Sequence, residues 1–528
     1  MTGNGSLEAI CGLYEATLQF LSLAYETVAG GWHDVADATS VEGSQLYKDI
    51  AETFVQIASP FAPYQKSLAQ LETFHSNVAQ TLIKKDIHQA VNSKASPTVA
   101  HLQDTTERLL QLAPYVFPLA QASMARLELL TGGYQVRSCL SVIDTLLAHH
   151  AQELALSIQT INTNAVAEMF DDQHVSVALE MLKVVGCYQN SLNDFGLKTR
   201  ERMSVLQQRR VSQDLQEKEV STKSKAFLLP DALSVVEIDS LLCKSVLYQE
   251  EEDEEALGRL ASSDSVLFPN ANDSVERLKR SCQGLVFQVC SAVPRKHLED
   301  MSSMPCWTSQ STDMSSYGTL PQAYITQVGE HMLALVQALD PFASSEESLA
   351  MATQVMGGVC SVAVQPWRDL LAAVGASEDI VDTLMRGTEL KEYVHAYEEE
   401  QLLEEEVEHQ DFAEKSKHDF CNQWLDAVSL AVTGRLLERI MRIPRLSTKG
   451  CEHLSVDLNY LANVLAALGV TGHPHPLVKH MADMASVDGE SLRAMVQRRG
   501  RSTPLVAALC AMEERFTLMR GEHNQQTN

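Results

Sequence analysis

Apolar residues return every three or four positions through most of this chain and almost nowhere alternate one by one. Near the start, Leu7, Ile10, Tyr14, Leu18, Leu21, Tyr25 and Val28 recur every three or four residues and share one side of a helix. The spacing predicts an amphipathic helix that begins behind a Ser6 cap and stops at Gly30-Gly31. Similar patterns run to about residue 225, punctuated at Pro60, Pro63, Pro114, Pro118 and Gly132-Gly133. Beyond Leu320, the residues Ile325, Val328, Met332, Leu335 and Leu339 predict a further helix, with Pro321 in its first turn and Pro341 as its stop.

Close to the C-terminus, Leu454, Leu458, Leu461, Leu465 and Leu468 form one more stripe. Gly469 suits its C-terminal cap, and Pro444 separates it from the helix before, so the pair reads as a helical hairpin. Asp457, Asn459 and Asn463 fall off the leucine stripe and are expected on its wet side. Burying five leucines at roughly 1.5 to 3 kcal/mol each outweighs what three exposed polar groups add, so packing is the expected role of this stretch.

Between about 226 and 320 the pattern breaks. An acidic run at 250–255 leads into "ASSDSVLFPNANDS", and a second polar stretch fills Asp300 to Gly318. Such segments bury little apolar surface, so a linker region with one short helix at about 275–293 is expected. The predicted organisation is all-α: helical bundles over 1–225, an acidic and Ser-rich linker over 226–320, a bundle with an acidic stretch over 321–420, and a C-terminal helical domain over 421–528.

Charge narrows the partners. The 528 residues carry a net charge of −28, which phosphate backbones and anionic headgroups repel, so no nucleic acid partner is expected and membrane contact should be peripheral and indirect. Residues 421–528 differ, holding twelve Lys or Arg against ten Asp or Glu. Eleven cysteines with no CxxC pair read as reduced, mostly buried thiols of a cytosolic protein. The opening "MTGNGSLEAI" lacks a secretory pattern, and the uncharged run Ser348 to Trp367 contains Gln, Ser, Thr, two Gly and a Pro, short of a spanning helix.

Candidate chemistry is thin. Asp171-Asp172 lacks the third carboxylate a magnesium bridge needs, since position 175 is Val. His33-Asp34 and His418-Asp419 each offer only the central dyad of a metal-dependent phosphohydrolase, and His149-His150 and His473-Pro-His475 lack zinc-site spacing. With no P-loop, nucleophile elbow or GxGxxG, no catalytic residue, cofactor, metal or small-molecule substrate is expected. The acidic runs at 250–255 and 398–411 read as solvated segments ahead of docking sites for basic partners. Arg435, Arg439 and Arg442 align on one helix face, with Arg445 just past Pro444 and Arg498, Arg499 and Arg501 further on. Local pairing with Glu438 and Glu452 is the expected state of that face; a contact for an acidic partner or phosphoinositide headgroups is the competing reading.

One resemblance goes further. "NQWLDAVSLAVTGRLLERIMRIPRLS" and "LSVDLNYLANVLAALGV" resemble the C-terminal region of subunit 7 of the conserved oligomeric Golgi complex, at Trp424-Leu425, Ile443-Pro444, Asp457, Tyr460-Leu461, Asn463-Val464 and Ala467-Leu468-Gly469. "FLLPDALSVVEIDSLL" and "YITQVGEHMLAL" followed by "LDPF" are similar to it in the family's order, across about 300 residues; the first 220 residues resemble it only in helical character. The family's N-terminal helical segment has no counterpart, so the chain is expected to begin inside a later bundle.

The resemblance implies stacked helical bundles forming an elongated rod, and a non-catalytic subunit of a Golgi vesicle-tethering complex. It also implies a role in intra-Golgi retrograde transport, Golgi organisation and glycosylation-enzyme retention. The implied partners are the other subunits of that complex, together with SNAREs and Rab GTPases, on the cytoplasmic side of the Golgi membrane. The alternatives are a helical scaffold of an exocyst-like tether, against which the hairpin around Pro444 and Gly469 argues, and an all-helical metal-dependent hydrolase.

Overall fold

The computed structural model describes residues 3–35, 40–91, 98–165, 172–222, 233–247, 259–260, 266–309, 320–343, 355–387, 390, 412–470, 472–489, 491–492 and 503–521. The chain is all-α, and among the described residues every regular element is a helix. The helices are α1 (Gly3–Val35), α2 (Ser40–Ala58), α3 (Ala62–Lys66), α4 (Leu68–Val91), α5 (Val99–Leu112), α6 (Phe117–Thr131), α7 (Val136–Ala165), α8 (Asp172–Glu180) and α9 (Leu182–Thr222). After them come α10 (Val235–Leu247), α11 (Pro269–Glu299), α12 (Ala323–Ala343), α13 (Val355–Ala373), α14 (Val381–Arg386), α15 (Phe412–Met441), α16 (Thr448–Ala467), α17 (Pro476–Ser486) and α18 (Pro504–Met519). They form two compact units interleaved along the chain. One comprises Met1–Asn92, Arg108–Leu154 and Cys187–Leu278, the other Ser93–Glu107, Ala155–Gly186 and Lys279–Asn528.

In the first unit, α1 buries Leu7, Cys11, Tyr14, Leu18, Leu21, Tyr25 and Ala29 against α2, α4, α6 and α10. This phase differs slightly from the expected one: Ile10 is half-buried and Val28 is exposed. Gly30-Gly31 does not end the helix, which runs to Val35, and Ser6 lies inside it. A helical glycine costs about 1 kcal/mol relative to Ala, which a helix of this length absorbs. Gly132 and Gly133 do end α6, both with positive φ that only glycine adopts freely. The aromatic rings of Phe117, Tyr188, Phe195 and Phe268 cluster at centroid separations of 5.2, 6.2 and 5.3 Å.

The second unit is organised around α12, whose Ile325, Val328, Met332, Leu335 and Leu339 are all buried as the spacing predicts. It packs against α8, α15 and α16. Pro341 lies inside the last turn of α12 and does not stop the helix before it. The helix α13 lies along α15 so closely that a Cβ on Gly434 would stand 2.7 Å from the Trp367 ring. The helix α16 has α17 and α12 as its principal neighbours, so its hairpin partner is the following helix and not the preceding one.

Two features depart from the linker expected over 226–320. The predicted short helix is α11, 31 residues long, with Val275, Leu278, Cys282, Leu285, Val286, Val289 and Cys290 buried. Residues 300–309 are also ordered, because Trp307 is buried and donates its indole N–H to the Met301 carbonyl at 2.6 Å. Both acidic runs, 250–255 and 398–411, lie outside the described residues.

Candidate functional site

Asp457 is the polar residue of the leucine stripe that the structure reassigns. It is buried on α16, not solvated, and it accepts the Gln322 main-chain N–H at 2.7 Å and the Tyr324 hydroxyl at 2.9 Å. The first turn of a helix leaves N–H groups without intrahelical partners, and Asp457 caps α12 from another element. Burial pushes its carboxyl up to about 6, against the opposing pull of those two hydrogen bonds. Asn459 and Asn463 are exposed as expected, while Leu468 is only half-buried and follows the helix as its cap, ahead of Gly469 at φ +65°.

The arginine face is paired. Glu438 is fully buried, and the guanidinium groups of Arg435 (3.1 Å), Arg439 (3.4 Å) and Arg442 converge on its carboxylate. Arg435 also reaches Asp369 at 3.5 Å. Burial and the nearby Arg435 both lower the Arg295 guanidinium below its ordinary value. The local-pairing expectation therefore holds through Glu438. Arg445 is exposed, and Arg498, Arg499 and Arg501 lie outside the described residues.

His150 and His475 are packed inside the protein, whereas His149 is exposed. His150 is buried and donates from Nε2 to the Leu112 and Ala113 carbonyls at 3.0 and 3.3 Å, and burial pushes it down to about 4. His475 likewise meets the Leu384 and Met385 carbonyls at 3.1 and 3.2 Å, accepts the Leu477 N–H at Nδ1, and sits 4.8 Å from the Trp367 ring. It too is pushed down to about 4, by burial and by His473. Both rings are therefore neutral near pH 7. The side chains of His33-Asp34, Asp171-Asp172 and His418-Asp419 lie outside the described set. Among the described residues no three His, Cys, Asp or Glu side chains converge as a metal would require.

Several buried polar clusters join residues that the sequence pattern does not single out. In the first unit, Tyr14 donates to Asp239 at 2.8 Å, with Gln65 and Cys243 beside them. Burial raises the Asp239 carboxyl to about 7, partly offset by hydrogen bonds from Tyr14 and Cys243. Asp144 on α7 caps α11, accepting the Asn270 and Ala271 N–H groups at 3.1 and 2.8 Å. In the second unit His480 pairs with Glu513 at 2.8 Å, both buried. A lone polar residue within an apolar stripe was the only signal. Each cluster joins helices.

Comparison with known proteins accounts for a chain with this character. The profile of the family described as Golgi complex component 7 matches residues 4–365. The chain is similar to the conserved oligomeric Golgi complex subunit 7 of Arabidopsis thaliana, at 20% identity over 88% of this chain and 53% of that protein. To the Homo sapiens protein of the same name it is 19% identical, over 84% of this chain and 53% of that one. The chain thus spans about half the length of the curated relatives it matches. No solved structure matches it significantly. The matched span starts at residue 4, so the first 220 residues carry family signal beyond helical character, while the leucine stripe at 454–468 lies past the profile's end. On this evidence the chain belongs to the Golgi complex component 7 family.

Proposed function

We propose that this chain serves, without catalysis, as a subunit of a Golgi vesicle-tethering complex, supporting intra-Golgi retrograde transport, Golgi organisation and retention of glycosylation enzymes. The family match over residues 4–365 carries this reading. Support comes also from the polar clusters, each of which holds helices together.

Its partners in this reading are the other subunits of the conserved oligomeric Golgi complex, and beyond them SNAREs and Rab GTPases. Its association with the Golgi membrane is peripheral, on the cytoplasmic side. Among the described residues no helix is long and apolar enough to cross a membrane. The mechanism is mechanical: a helical scaffold that holds two weak contacts at once raises the effective concentration of the second.

The test is capture of a tagged intact chain from cells, with quantitative mass spectrometry, beside a Leu461→Asp, Leu465→Asp variant whose core is broken. Recovery of the other complex subunits by the intact chain alone is the expected result. Recovery of none by a chain that melts cooperatively would overturn the reading.

A further inference from the structure

We propose that the outward face of α1 is a docking surface for an amphipathic α-helix of another protein, one that carries lysines or arginines along one edge. The helix α1 has two apolar stripes. The first, from Leu7 to Ala29, is buried. The second runs along the opposite side through Ala9, Leu13, Ala16, Phe20, Leu23 and Thr27, spaced 4, 3, 4, 3 and 4, and every one of these residues is exposed. Its large members are more than half open to solvent: Leu13 at 63%, Phe20 at 61% and Leu23 at 64%.

The face is exposed from Ala9 to Thr27, and a Cβ added at Gly12 beside it would meet no atom of the described residues within 4 Å. The Thr27 hydroxyl is turned back to the Leu23 carbonyl at 2.9 Å, which leaves little polarity on the stripe. An apolar row alternating at three and four residues is the pattern a partner helix fills with side chains at the same spacing, over ~27 Å from Ala9 to Thr27.

Charge selects the occupant. Glu8, Glu15 and Glu26 line one edge of this stripe, and α1 contains no Lys or Arg. A second copy is a poor fit: antiparallel pairing about a two-fold axis sets the glutamate row against itself, and parallel pairing sets it against an edge with no cation. An anionic membrane repels the same row. A helix with basic residues beside its apolar stripe satisfies both the apolar face and the glutamates. The inference stands on α1 alone and is independent of the tethering role.

The experiment uses the intact chain and two fluorescent 21-residue helical peptides with leucines at the a and d positions, one flanked by lysines and the other by glutamates. Fluorescence anisotropy should show saturable binding of the lysine peptide, weakened by added salt, and at least tenfold weaker binding of the glutamate peptide. Phe20→Ser with Leu23→Ser should weaken the lysine peptide at least tenfold. Glu15→Lys with Glu26→Lys should reverse the preference between peptides. All four positions are exposed, so thermal melts should be shared with the parent.

Equal affinity for the two peptides, no saturable binding, or indifference to the serine changes would overturn the proposal. So would a concentration-dependent dimer, or flotation with phosphatidylserine vesicles, that the serine variant abolishes, since the face would then belong to a second copy or to a membrane. Because the assay contains no Golgi protein, its failure is distinct from failure to recover tethering subunits from cells.

Discussion

Arg126 on α6 grips Glu72 on α4 with two parallel hydrogen bonds, Nε to Oε1 at 2.5 Å and Nη2 to Oε2 at 2.9 Å, and both side chains are almost wholly out of solvent. Two charges removed from water in this way hold each other in place, and neither is tolerable alone.

Breaking the pair from one side should therefore cost more than replacing it. Arg126→Met or Glu72→Leu is expected to destabilise by about 3–5 kcal/mol, and the double change Arg126→Met, Glu72→Leu by clearly less than the sum. Urea unfolding of the four proteins of this cycle decides the matter; additive losses would mean that the two groups do not depend on each other.

Buried carboxyls give stability an unusual slope with pH. Asp239 and Asp457 have folded-state values raised to about 7 and about 6 from an ordinary 3.8. The native chain thus holds protons that the unfolded chain has released, so their contribution is complete below about pH 4 and is lost as pH rises through 6 to 7. Between pH 4.5 and 7.5 the urea midpoint of Asp239→Asn should change less with pH than that of the parent. Parallel curves would show that Asp239 does not titrate in that window.

Glycines on the two sides of the packing question should respond oppositely to Ala. At Gly434 the added methyl meets the buried Trp367 ring at 2.7 Å, and a loss of about 1–3 kcal/mol is expected. At Gly284 within α11 it meets nothing within 4 Å, and a gain of about 0.5–1 kcal/mol follows from the helical preference for Ala. Thermal melts of the two variants with opposite shifts would support this; shifts of the same sign would contradict it.

The arginine face should be sensitive at its centre and tolerant at its rim. Glu438→Gln leaves three guanidinium groups without their shared buried carboxylate and is expected to cost about 3–5 kcal/mol, whereas Arg442→Ala, at a side chain 52% exposed, should cost less than about 1 kcal/mol. Chemical denaturation of both variants checks this; similar losses below about 1 kcal/mol would mean that the face is merely solvated.

How far the sequence carried can be judged from particular residues. The stripe of α12 was legible to the residue, since Ile325 to Leu339 keep a phase that only one face of a helix satisfies. The stripe of α1 was legible in kind but off in phase: reading Ile10 and Val28 in place of Cys11 and Ala29 favours the larger side chains, and the choice between neighbouring positions is settled by how closely another helix approaches. Its second stripe has the same spacing, and spacing alone does not say which of two apolar faces on one helix is buried.

Asp457 was misread for a different reason. Its role depends on the first turn of a helix that begins some 130 residues earlier, and no local pattern announces such a cap. Trp307 was hidden in the same way, as a single bulky residue in a polar run whose burial gives those ten residues their order. Arg435, Arg439 and Arg442 came out as expected because their partner, Glu438, lies within one turn.

Pro444 interrupts the chain between α15 and α16, and the six residues there have no helical ladder of their own. Yet the Leu446 N–H donates to the Met519 carbonyl at 2.8 Å and the Ser447 N–H to the Trp307 carbonyl at 2.7 Å. Two neighbouring amides are thus held by segments that lie on either side of them in sequence, one about 70 positions later and one 140 earlier. In deuterated water these two should keep their protons about as long as amides deep in α16, because neither can exchange until a distant stretch of chain has let go.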